Sequence, residues 1–153
     1  MSITHPQNVR FKCVRCGICC GDTLEKVRHI LLLKKEAQRI SALTKRQIAD
    51  FADELTNRGP YAYEMKKTAK GGKCLFLQRN RCTIYPARPL ICRFYPFGLE
   101  TDQNLKRFFY TKECPGIGKG KTLEETDFNK LLNLANSRIA TAKNIDHDDH
   151  KYS

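Results

Sequence analysis

The sequence predicts a small, irregular α+β domain organised around its cysteines. Three observations predict it. Eight cysteines stand among 153 residues that include no tryptophan and 41% hydrophobic residues, enough for a modest core. Apolar residues recur at helical spacing in three stretches, with short strand-like runs between them. Three prolines in "YPARPLICRFYPF", residues 85–97, exclude a long helix there and set a stiff, irregular loop.

The elements follow in order. Residues 1–12 are a lead-in, and the cysteine-rich run 13–20 comes next. Asp22 is placed to cap a helix over 24–40, where Leu24, Val27, Ile30, Leu31, Leu33, Ala37 and Ile40 fall near helical spacing. Strand is the alternative for "HILLL". Thr44 and Gln47 form a capping box. The helix it opens buries Ile48, Phe51, Ala52 and Leu55 and stops at Asn57–Gly59, with Pro60 behind. Residues 61–73 read as a connection or a poorly ordered strand. "CLFL" and "CTIY" around "QRNR" predict a short β-hairpin with a polar turn. "LKRFFYTKEC" is a further strand-like run, and "PGIGKGK" a flexible basic turn. Thr122 and Glu125 make another capping box before a last helix at about 123–142, with Leu123, Phe128, Leu131, Leu132, Ala135 and Ile139 on one face. The expectation is one domain, 1–153, with about three helices: a core over 13–118, a C-terminal helix over 122–143 and a polar tail over 144–153.

Charge and hydropathy bound the function. Twenty-eight basic and 16 acidic residues leave a net charge of +12. Such a surface attracts polyanions; its plainer reading is a solvated basic face, ahead of RNA binding. It would also offset the negative charge of metal-bound thiolates. The longest aliphatic run, "ILLL" at 30–33, falls far short of the ~20 residues of a membrane span. "MSITHPQNVRFK" lacks the apolar region of a secretory signal. The expected location is therefore the cytoplasm, with no membrane association. Thiols stay reduced there, which puts metal ligation ahead of disulfides.

Cys13, Cys16 and Cys19 form C-x2-C-x2-C, a spacing that turns three thiolates inward from one tight loop, as in the bacterial ferredoxin run. The fourth ferredoxin cysteine would fall at Thr23, so a fourth ligand must come from Cys20 or from the remote Cys74, Cys82, Cys92 and Cys114. Gly17 and Gly21 allow positive φ, which aims backbone N–H groups at sulfur. The remote cysteines contain no CxxC pair, unlike a zinc ribbon. Adjacent side chains diverge, so Cys20 either opens a second site or completes the first. A vicinal disulfide between Cys19 and Cys20 would close a strained ring. Cys74, in an apolar run, is the cysteine most readily explained as plain core.

Together "CVRCGICC", "CLFLQRNRCTIYPARPLICRFYPF" and "CPGIGKG" resemble the CxxCxxCC family of zinc- or iron-chelating proteins. Its members are often described as containing iron–sulfur clusters, and flagellin lysine N-methylase is a relative. The resemblance spans about residues 11–118. It matches Cys13, Cys16, Cys19 and Cys20 to the naming motif, Cys74, Cys82 and Cys92 to the C…C-x-I-Y…R-P-x-x-C-R block, and Cys114 to Cys-Pro-Gly. It implies metal binding, with all eight cysteines as candidate ligands. Methyl transfer rests on kinship alone, since no nucleotide or S-adenosylmethionine loop is readable.

Other signals are weaker. Arg88 and Arg93 are placed to donate hydrogen bonds to a cluster or to backbone carbonyls. Tyr85, Phe94, Tyr95 and Phe97 either shield a metal or pack as core. "PGIGKGKT" misses the P-loop pattern at Pro115. His147 and His150 lie in the polar tail, and His29 is read as packed or exposed rather than as a ligand. Three functions follow. The first is an iron–sulfur protein, with a 4Fe–4S cluster, that serves a redox partner protein. The second is a zinc-stabilised basic module for RNA or an acidic protein. The third is a metalloenzyme related to protein-lysine methylation.

Overall fold

The computed structural model describes residues 2–24 and 26–149. The chain forms β1 (Ser2–Thr4), β2 (Arg10–Phe11), a 3-10 turn (Ile18–Cys20), β3 (Leu31–Leu33), α1 (Lys34–Thr44), α2 (Ile48–Phe51), β4 (Ala52–Glu54) and β5 (Tyr61–Met65). It continues through β6 (Leu77–Gln78), β7 (Arg81–Cys82), a second 3-10 turn (Tyr85–Ala87), α3 (Leu90–Phe94), β8 (Phe97–Asp102), β9 (Leu105–Tyr110), β10 (Ile117–Thr122) and α4 (Glu125–Asp149). The strands make four small sheets, ordered β1-β9-β8, β10-β2, β3-β5-β4 and β6-β7. The fold is mixed α+β, as expected.

Two cores result. In one, Ile30, Leu32, Ala37, Ile40, Phe51 and Met65 pack α1 and α2 on the β3-β5-β4 sheet. In the other, Val9, Phe97, Phe108 and Phe128 join α4 to β8 and β9. Phe128 is fully buried, with Phe108 at 5.1 Å, Phe97 at 5.4 Å and the His5 ring stacked at 4.7 Å. Burial of each such ring contributes about 1.5–3 kcal/mol. The short α3 spans the gap: Ile91 and Cys92 pack on the first core and Phe94 on the second. Glu36 clamps the junction. It is buried, and its carboxylate accepts the N–H of Leu33 (3.0 Å) and of Leu90 (2.5 Å) and pairs with Arg138 (2.9 Å).

The hairpin is as expected. Gln78 pairs with Arg81, and Arg79 and Asn80 both take positive φ, the signature of a tight two-residue turn. Several other boundaries differ. Residues 22–24 and 26–30 are not helical, and the apolar side chains of Leu24 and Val27 face solvent. Asp22 does not cap a helix: its carboxylate accepts the Arg28 N–H (2.8 Å) and pairs with Lys67 (2.7 Å). Thr44 ends α1, where its hydroxyl donates to the Ile40 carbonyl (2.8 Å). The capping carboxylate is Asp50, which accepts the Gln47 N–H (3.2 Å). α2 then stops early because Ala52–Glu54 pair with β5. Residues 61–65 are that sheet's central strand, not a connection. "PGIGKGK" is largely strand β10, hydrogen-bonded to β2. Thr122 closes that strand, and Asp127 caps α4 by accepting the Glu124 N–H (2.9 Å). The side chains of His147 and His150 lie outside the described residues.

Candidate metal centre

Backbone hydrogen bonds deliver the N-terminal cysteine loop to the remote cysteines. Lys12 N–H donates to Gly116 O (3.1 Å), Asp22 N–H to Gly72 O (3.0 Å), and Cys74 N–H to Cys20 O (2.5 Å). The loop is therefore stitched at both ends, to the segment after Cys114 and to the segment before Cys74. Gly17 has φ 78 and precedes the 3-10 turn carrying the doublet, as the turn requires. Gly21 needs its glycine for a different reason from the one expected. Its backbone is extended (φ 176), but a Cβ would stand 2.6 Å from Gly72 O and 2.8 Å from Lys73 Cα. Gly21→Ala is thus expected to push residues 21 and 73 apart and destabilise the fold by about 1–3 kcal/mol, read as a lowered urea midpoint.

The result is one cavity of about 360 Å³ between the two cores. Cys13, Cys16, Cys19, Cys20, Cys82, Cys92 and Cys114 all line it. Cys74 does not; it is buried in the first core, directly behind. Cys13 and Cys16 are exposed at the lip, while Cys114 is buried. None of the eight is disulfide-bonded. The sulfurs of Cys19 and Cys20 are 3.8 Å apart, so the doublet converges here rather than diverging. Two sulfurs about 2.3 Å from one tetrahedral ion stand roughly 3.8 Å apart. Among the described residues no three Cys, His, Asp or Glu side chains already meet at ligating positions, so the thiols surround the space without closing on a point.

Charge suits thiolates. Arg15, Arg81, Arg88 and Arg93 line the cavity, and among the described residues no carboxylate does. Tyr85 lies at the mouth with the Arg88 guanidinium 3.6 Å from its ring centroid and that of Arg15 at 5.8 Å. Arg88 and Arg93 donate to backbone carbonyls, Arg88 to Tyr85 O and Arg93 to Arg88 O and Pro86 O. Of the four aromatics named from the sequence, Tyr85 and Tyr95 line the cavity, while Phe97 is buried in the second core and Phe94 packs against it. His29 pairs with Glu64 and is not a cavity residue. The donors fit a metal in chemistry and in charge: soft thiols in an arginine-lined pocket.

Without a metal, five of the eight thiols resist ionisation. The hydrogen bond with Cys20, then burial, pushes the Cys19 thiol well above its ordinary range. Burial does the same to Cys92 and raises Cys74, Cys82 and Cys114. Neighbouring thiols add to it, Cys16 and Cys19 in the case of Cys114. Unfolded thiols ionise near 9.0, so the folded state is the one that keeps its protons as pH rises. The contribution to stability is fully present below about pH 9 and is lost above it. Reduced, metal-free protein is therefore expected to lose stability between about pH 8 and pH 10, and Cys92→Ser protein to lose less. Metal binding must expel these protons, so affinity falls on acidification.

The arrangement of the eight cysteines decides the kinship. A family profile described as "putative zinc- or iron-chelating domain" matches residues 12–115, which include all eight. The chain belongs to the CxxCxxCC family. Membership supports metal binding. A similar protein is an uncharacterized protein of Methanocaldococcus jannaschii, 26% identical over 154 residues that cover 94% of this chain and 78% of the relative. No solved structure matches. Among the described residues, no helix is long and apolar enough to cross a membrane. Sequence reading found every cysteine of the cavity but passed over Arg28, which sits beside them. Its signal was hidden inside a segment that resembled a helix.

Proposed function

We propose that this chain binds an iron–sulfur cluster through cysteine thiolates in the cavity and exchanges electrons with a partner protein. The observation that carries the reading is the convergence of C-x2-C-x2-C with remote cysteines on one arginine-lined space. Cys13, Cys16 and Cys19 supply three ligands. Cys114 is the natural fourth, since its segment is hydrogen-bonded to the loop at Lys12 and it lines the same cavity as Cys16 and Cys19. The cavity offers room for a multi-atom cluster; one water's share of liquid volume is only ~30 Å³. When bound, such a cluster supplies one-electron redox chemistry. The chain's own residues bind it, exclude water through Tyr85, Tyr95 and Phe11, and offset thiolate charge through arginine. Protein purified without oxygen is expected to be brown and to bleach reversibly on reduction. A colourless protein with stoichiometric zinc and no sulfide would overturn the redox reading.

One observation favours zinc as the second reading. The 3.8 Å spacing of the Cys19 and Cys20 sulfurs suits two thiolates on a single ion. A cubane takes one thiolate per iron, so the doublet cannot serve one iron twice. Cys20→Ser separates the readings. It leaves the metal in place if the centre is the cluster and costs roughly a hundredfold in affinity if it is a single ion.

A further inference from the structure

Among the described residues, two buried side-chain polar atoms have no hydrogen-bond partner: Arg28 Nη2 and Tyr95 Oη. They belong to one contact. The Arg28 guanidinium lies over the Tyr95 ring, 4.9 Å from its centroid. Each orphaned buried donor costs about 1–3 kcal/mol, and two in one place need an explanation.

Arg28 is held there deliberately. Its Nε donates to Cys19 O (3.1 Å), its N–H to Asp22 Oδ1 (2.8 Å), and its carbonyl accepts Lys67 Nζ (3.1 Å). Lys67 in turn pairs with Asp22 (2.7 Å) and holds that carboxyl below its usual range. The side chains of Asp22 and Lys67 thus both fix the backbone of residue 28. Tyr95 lines the cysteine cavity, and Arg28 stands on its far side, where both border a small polar pocket of about 100 Å³. Tyr95 shares the cavity with Cys19, Cys92 and Cys114, Arg28 is hydrogen-bonded to the Cys19 backbone, and Glu113 borders the small pocket. Burial, then Cys114, pushes the Tyr95 hydroxyl up to about 12, while the Arg28 charge acts on Cys19 and Cys92. A protonated thiol is a weak acceptor, which leaves both donors idle. A thiolate is a strong one.

We infer that Arg28 Nη2 and Tyr95 Oη are pre-set donors for the thiolates of the loaded metal centre, and that they set its affinity and reduction potential. This rests on the metal reading above. It assigns the pair a role beyond packing: hydrogen bonds to ligand sulfur spread the negative charge and favour the reduced state of a redox centre.

Tyr95→Phe is the decisive variant, because the two states respond with opposite sign. In the metal-free protein it removes an orphaned hydroxyl, so the urea midpoint is expected to stay or rise. In the loaded protein it removes a donor, so zinc affinity, read by competition with a chelator, falls about tenfold or more. In iron-reconstituted protein the ratio of oxidised to reduced centre shifts about tenfold toward oxidised, some 59 mV for one electron. Arg28→Gln is expected to do the same more strongly, and Arg28→Lys to recover part of the loss. Unchanged affinity and potential in Tyr95→Phe would overturn the inference even if stability moves. A wild-type protein that binds neither zinc nor iron would overturn the metal reading itself, and this inference with it.

Discussion

Replacing Cys16 by Ser is expected to empty the metal centre while leaving the fold intact. The residue is exposed at the cavity lip, so serine costs little in packing. The loss is chemical. Structural zinc sites bind with about 10–16 kcal/mol, so one thiolate of four carries roughly 3–4 kcal/mol, a few hundredfold in affinity. Cys114→Ser is expected to match it, although that residue lies in the segment leading into β10. A remote cysteine losing metal as fully as one in the CxxCxxCC run is the sign of a shared centre. Metal content and far-UV circular dichroism of both variants check this. Full metal in Cys114→Ser would exclude Cys114 as a ligand.

The second large effect concerns stability. Glu36→Ala is expected to destabilise the protein by about 3–5 kcal/mol, because it strands the largely covered Arg138. Arg138 is only 17% exposed on its side chain, so solvent does little to compensate. Glu36 also accepts two backbone N–H groups, from Leu33 and Leu90. For that reason the double replacement Glu36→Leu with Arg138→Leu should not recover full stability, unlike a simple buried ion pair. Urea midpoints of wild type, single and double variants measure it. A change below about 1 kcal/mol in Glu36→Ala would mean that the junction of α1, α3 and α4 holds without the clamp.

What the sequence revealed was what local chemistry determines. The Leu77–Cys82 hairpin was legible because a polar turn sits between two short apolar runs. The final helix was legible from its apolar face, though it starts at Glu125 because Thr122 is taken by β10. Of the helix expected at 24–40 only residues 34–40 are helical, within α1; before them a long-range partner intervenes, since Asp22 pairs with Lys67 and no local pattern announces that. The helix after Thr44 forms only over Ile48–Phe51, because pairing with β5 outweighs the helical periodicity of 52–55. At the site, cysteine count and spacing named the cavity-lining residues, and the apolar run around Cys74 marked it as the one most readily read as core, where it is buried. They did not tell that Cys19 and Cys20 converge at 3.8 Å. That depends on the stitches at Lys12, Asp22 and Cys74, which tie segments distant in sequence. Arg28 and Tyr95 were illegible as a pair for the same reason.

The most direct test of a thiolate metal centre is the metal content of the full chain purified without oxygen. Iron, acid-labile sulfide and zinc are quantified per chain, before and after acidification. Stoichiometric metal is expected, with iron and sulfide together, and it should leave as the pH falls and the thiols regain their protons. A chain that carries no stoichiometric iron or zinc, and takes up neither on anaerobic reconstitution, would contradict the account.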